Sequence, residues 1–98
     1  MKVIILGHGN IGRAAEQAIL QSPDMELVGV YHHNDNIANI SADVALVCTP
    51  TREVSVFVPQ LLRQGICTVD SFDIHNQIYD LKQQFDSLCQ ENKAVSVI

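Results

Sequence analysis

Gly7-His8-Gly9-Asn10-Ile11-Gly12 is the stretch that decides the fold, because of what flanks it. Lys2-Val3-Ile4-Ile5-Leu6 precedes it, a short apolar run with the look of a buried parallel strand. Ile11, Ala14, Ala15, Ala18 and Ile19 follow at helical spacing. A G-x-G-x-x-G pattern alone is weak, but strand, glycine turn and helix in that order make a dinucleotide-binding fingerprint. In that reading Gly7 permits the tight turn and Gly9 lets a pyrophosphate approach the backbone. Gly12 lets the helix pack closely on the strand. Amide N–H groups left free at the helix start, with the helix dipole behind them, favour an anion. The plainer alternative is a glycine-rich turn that holds no ligand.

Ninety-eight residues allow a single core, so residues 1–98 are expected to form one domain. A net charge of −5, with only six scattered Lys and Arg, argues against nucleic acid as a partner. No apolar run reaches the roughly 18 residues of a membrane span. Met1-Lys2 leads directly into the first strand, so no signal peptide is expected. Cys48, Cys67 and Cys89 are odd in number and lack C-x-x-C spacing, which fits reduced thiols in a cytoplasmic protein. The His residues share no ligand spacing with them, and no metal site is expected.

Strand and helix alternate along the chain. After the first helix (about Ile11 to Gln21), Ser22-Pro23-Asp24 turns into a second strand, Glu26 to Tyr31. Val44 to Cys48 is a third strand. Val54, Phe57, Val58, Leu61 and Leu62 form a helical stripe that Gly65 closes, with Pro59 predicting a kink or a late helix start. Ile66 to Val69 is a fourth strand. Ile78, Leu81, Phe85, Leu88 and Cys89 mark a third helix, and Ala94 to Ile98 a fifth strand. The expected architecture is α/β, an open doubly wound parallel sheet of Rossmann-like order 3-2-1-4-5. The segment His32 to Asp43 is barely long enough for a parallel crossover, and Ile37 and Ile40 are expected to cover the sheet in place of a helix.

Ligands in such sheets lie at the carboxyl ends of the strands, near the switch point, here expected between strands one and four. That rule selects the glycine turn, Tyr31 to Asn34, Cys48 to Thr51 and Asp70 to Asp73. All four segments are rich in small or polar residues. Strand two ends in Tyr31-His32-His33-Asn34, with neither the carboxylate that receives an NAD ribose nor the Arg that receives the 2′-phosphate of NADP. Two imidazoles and an amide can donate to phosphate, which on charge tilts the expectation to NADP with NAD possible. An ordinary solvated histidine pair is the equal alternative.

Three segments together resemble the N-terminal nucleotide-binding domain of the meso-diaminopimelate dehydrogenase family. They are Gly7-His8-Gly9-Asn10-Ile11-Gly12-Arg13, the run from Ser22 to Val30, and Thr68-Val69-Asp70-Ser71-Phe72-Asp73-Ile74-His75. The family shows a GYGNLGR turn, a PDMELVGVF strand and a TVDSFDxH segment at these places, and the third is the specific one. The resemblance covers essentially the whole chain. It implies NADP as cofactor, gripped at His8, Gly9, Asn10 and Ile11. The family's 2′-phosphate site falls on His32, His33 and Asn34, where its two arginines are missing. Its C-x-G-S turn beside the nicotinamide falls on Cys48-Thr49-Pro50-Thr51, where Pro50 removes a backbone donor. Ser71 and Phe72 fall on the cofactor side. Asp73 matches a carboxylate that reaches the amino-acid substrate, and it is equally suited to cap the third helix. No catalytic residue is assigned.

The resemblance stops at Ile98, so the family's substrate domain is expected to be absent and the chain inactive alone. The expected role is the cofactor-binding part of an oxidoreductase that oxidatively deaminates meso-2,6-diaminopimelate. The alternatives are a stand-alone nucleotide-sensing module and a domain for another adenine-containing ligand such as coenzyme A. Homo-oligomers are expected to form through the edge strand 94–98.

Overall fold

Side chains alternate across a strand, and β1 (Lys2–Leu6) uses both sets for burial. Val3 and Ile5 pack against Ile19, on the face that α1 (Asn10–Leu20) covers. Ile4 and Leu6 point the other way, into a larger cluster with Val58, Leu61, Leu62, Leu81 and Phe85. A central strand buried on both faces therefore calls for helices on both. The computed structural model describes residues 1–32, 34–70 and 75–97. The remaining elements are β2 (Glu26–Tyr31), β3 (Val44–Val47), a 3-10 turn (Thr51–Glu53) and α2 (Val54–Leu62). After them come β4 (Cys67–Asp70), a second 3-10 turn (His75–Gln77), α3 (Ile78–Asn92) and β5 (Ser96–Val97). No helix among the described residues is long and apolar enough to cross a membrane.

All strand pairs are parallel, as expected for a doubly wound sheet, but the order is β2-β1-β3-β4-β5. The expected order 3-2-1-4-5 put the third strand outside the second. Instead β3 lies against β1, with Ile4 opposite Ala45 and Leu6 opposite Val47. The reason is the connection 32–43. It carries no helix, and it crosses the face opposite α1, where Ile37 is buried in the larger cluster. A right-handed crossover on that opposite face must travel back across β1. The switch point therefore lies between β1 and β3, not between the first and fourth strands.

Local chemistry closes α2 as the sequence predicts. Gly65 takes a left-handed conformation (φ +76°), its N–H donates to Leu62 O at 2.9 Å, and the Ile66 N–H donates to Leu61 O at 3.2 Å. Pro59 is buried within α2, which starts at Val54, so the helix does not begin late at the proline. Of the fifth strand, Ser96 and Val97 pair with Thr68 and Val69, while Ile98 lies outside the described residues.

The middle of the 32–43 connection is tied to the end of α2 by a side chain. Gln64, just beyond α2, donates from Nε2 to Ile37 O at 2.6 Å and accepts the Ile40 N–H at Oε1 over 2.9 Å. Gln64→Ala is expected to cost about 1–2 kcal/mol by leaving both backbone groups without these partners. Gln60→Ala, which removes one exposed bond to Val56 O, should cost under about 0.5 kcal/mol. Urea unfolding midpoints of the two variants check the difference, and equal losses would show that the clamp contributes nothing.

Candidate functional site

The glycine turn is braced by strands on both sides. The Gly7 N–H donates to Tyr31 O at 2.7 Å, and the Cys48 N–H donates to Leu6 O at 2.7 Å. Gly7 has φ +94°, and a β-carbon there would lie 2.8 Å from the Cys48 carbonyl oxygen. A β-carbon on Gly12 would collide with the Gly7 carbonyl oxygen. These two glycines let α1 start close against the end of β1. Gly9 differs: a β-carbon there meets nothing within 4 Å. Gly9 is also the N-cap of α1, which has no side-chain cap and no acid in its first turn. Uncapped amides therefore face open space with the positive end of the helix dipole behind them.

An open cleft of about 630 Å³ lies over this turn. Gly7, His8, Gly9, Asn10 and Ile11 form its floor, His32 comes from the end of β2, and Cys48, Thr49, Pro50 and Glu53 follow β3. Among the described residues neither Lys nor Arg lines it. His8 lies with Nε2 3.4 Å from Glu16 Oε1, and its ring meets His32 edge-on with centroids 5.9 Å apart. Thr49 is buried, and its hydroxyl has no hydrogen-bond partner among the described residues. A buried hydroxyl without a partner is costly, so the wall of the cleft holds a polar group suited to a ligand. Burial pushes the Cys48 thiol above the usual range, which keeps it neutral near pH 7. Its contribution to stability is complete below the unfolded thiol value and is lost as pH rises through the folded one.

Nine of the residues singled out in the sequence thus line one cleft, while three do not. Gly12 lies beneath the turn, Asn34 is exposed past His32, and Thr51 belongs to the 3-10 turn. Gly12 and Thr51 each sit one residue past the last cleft residue of their segment, and Asn34 two past His32. His33, Ser71, Phe72 and Asp73 lie outside the described residues. Glu53 is the cleft residue that the sequence reading missed. An acid shortly after a proline reads as an ordinary helix-start residue, which conceals its place in the wall.

The glycines predict two separable outcomes. Gly12→Ala should destabilise the fold by roughly 1–3 kcal/mol, as overpacking does, whereas Gly9→Ala should leave the thermal midpoint within about 2 °C of the parent. A Gly12→Ala protein as stable as the parent would show that the close approach is not obligatory.

No protein-family model matches this sequence. The meso-diaminopimelate D-dehydrogenase of Bacteroides fragilis is 39% identical over 114 residues, covering 100% of this chain and 38% of that protein. Among solved structures, the Corynebacterium glutamicum DAP dehydrogenase in complex with DAP superposes with a TM-score of 0.84. It is 25% identical and is matched over 98% of this chain and 34% of its own. An engineered D-amino acid dehydrogenase bound to NADP+ shares the fold, with a TM-score of 0.84 at 24% identity over 100% of this chain and 36% of its own. The chain spans little more than a third of the length of the curated relatives it matches. Sequence and fold together make this chain similar to a part, about a third in length, of the meso-diaminopimelate D-dehydrogenases.

Proposed function

We propose that the cleft over the glycine turn binds a nicotinamide dinucleotide, and that the domain serves an oxidoreductase of the diaminopimelate dehydrogenase kind. The observation that carries this is the open space at Gly9 beside the uncapped start of α1. A pyrophosphate would sit there on backbone amides. The unpartnered Thr49 hydroxyl fits a ligand with further hydrogen-bonding groups on the β3 side. The bound nicotinamide supplies hydride-transfer chemistry, and the protein's part is to hold and orient it. His8, Gly9, Asn10 and Ile11 are assigned to the pyrophosphate side, with Cys48, Thr49 and Pro50 on the other. Ser71 and Phe72 on the cofactor side and Asp73 as a substrate contact belong to this proposal as the family resemblance implies. Oxidative deamination of meso-2,6-diaminopimelate is the proposed reaction of an intact enzyme, and cofactor binding is the activity proposed for these residues alone. The free thiols of Cys48, Cys67 and Cys89 suit the reducing cytoplasm.

NADP is the proposed cofactor, since the His32 imidazole lines the cleft at the end of β2 and protonated imidazole attracts a 2′-phosphate. Calorimetric titration with NADP, NAD and coenzyme A tests the reading. The parent should bind a nicotinamide dinucleotide, and Gly9→Val should lose it by filling the open cradle. The NADP-to-NAD affinity ratio should rise from about pH 8 to about pH 5.5. Equal binding by Gly9→Val rejects the cradle, and tighter binding of coenzyme A assigns the site to another adenine-containing ligand.

A homo-oligomer is proposed at the sheet edge. β5 is the outermost strand, and Val95 and Val97 are 61% and 52% exposed there. An apolar edge without charge invites pairing. Light scattering should show association that Val97→Lys abolishes, and a parent that stays monomeric at high micromolar concentration rejects it.

A further inference from the structure

The cleft is polarised from one side to the other. In the order β2-β1-β3 the glycine turn after β1 is central, His32 follows β2, and Thr49, Pro50 and Glu53 follow β3. The β2 side carries His32, whose ring meets that of His8 on the central turn, while Glu16 beside His8 and Asp35 at the His32 N–H lie outside the cleft lining. The β3 side carries Glu53, the one carboxylate among the described residues that line the cleft. Glu53 has no ion-pair partner among the described residues, and its side chain is half-buried.

From this arrangement we infer that Glu53 is a specificity-determining residue that favours the oxidised over the reduced nicotinamide cofactor, an inference that rests on the dinucleotide reading. A dinucleotide with its pyrophosphate on the glycine turn sends one nucleoside to each side. The 2′-phosphate is repelled by a carboxylate and attracted by imidazolium, so the adenosine half belongs on the β2 side. The nicotinamide half then lies beside Glu53. Oxidised nicotinamide is a pyridinium cation, and the reduced ring is neutral. A fixed carboxylate near the ring attracts the first and leaves the second almost unaffected. Glutamate at this point also lies near the start of α2, where an acid opposes the helix dipole. That role would alter stability and move both affinities together, leaving their ratio unchanged.

Dissociation constants for NADP+ and NADPH, measured at one ionic strength on the full chain, test the assignment. The parent is compared with Glu53→Gln, Glu53→Asp and Glu26→Gln, the last an exposed acid at the amino end of β2. Glu53→Gln should reduce the preference for NADP+ roughly threefold to fivefold, the size of a solvent-screened charge interaction. Glu53→Asp and Glu26→Gln should retain it. If the parent and Glu53→Gln bind both forms with the same ratio, Glu53 does not face the ring and the inference fails while the cleft reading stands. If the parent binds neither form, the dinucleotide reading fails and takes the inference with it.

Discussion

The connection 32–43 is the constraint on which the rest of the molecule depends. It carries no helix among its described residues, yet it must carry the chain from one side of β1 to the other. Its solution is to cross the face that α1 leaves free and drop Ile37 into the core. Gln64 satisfies the backbone groups that such a stretched path leaves without helical partners. Because this crossover runs opposite to the one through α1, the chain parts on either side of β1 at its carboxyl end. The cleft opens at that parting. Sheet order and cleft are two consequences of one short connection.

Close packing at the turn then shapes the floor. Gly12 and Gly7 bring the first turn of α1 against the end of β1, and Gly7 also leaves room for the Cys48 carbonyl. Those two positions use the missing side chain for contact within the protein. Gly9 uses it for space outside the protein. One sequence motif thus divides into a structural pair and a single position that faces open space, and the division follows from distances alone.

Much of this was legible in the residues. The apolar run Val3 to Leu6, the glycine turn and the stripe of Leu81 and Phe85 specify strand, turn and helix through local periodicity. Gly65 announced the end of α2 for the same local reason. The place of β3 was not legible, because strand pairing is non-local and nothing between His32 and Asp43 states which face the chain will cross. Glu53 was hidden because an acid near a helix start has an ordinary explanation. The unpartnered hydroxyl of Thr49 was hidden because burial follows from neighbours far along the chain.

A cleft lined by no Lys or Arg among the described residues, in a chain of net charge −5, offers an anion other means of attraction. Backbone amides at the start of α1 supply partial positive charge that is fixed in place and costs no side-chain entropy on binding. The His32 imidazole on the β2 side adds charge only when protonated. Both are weaker than a guanidinium clamp on a phosphate, and the remaining carboxylates oppose them at long range. Selectivity must then come from placement. Donors over the glycine turn, an imidazole after β2 and a carboxylate after β3 give a ligand three distinct environments within one cleft, and a dinucleotide carries three matching parts.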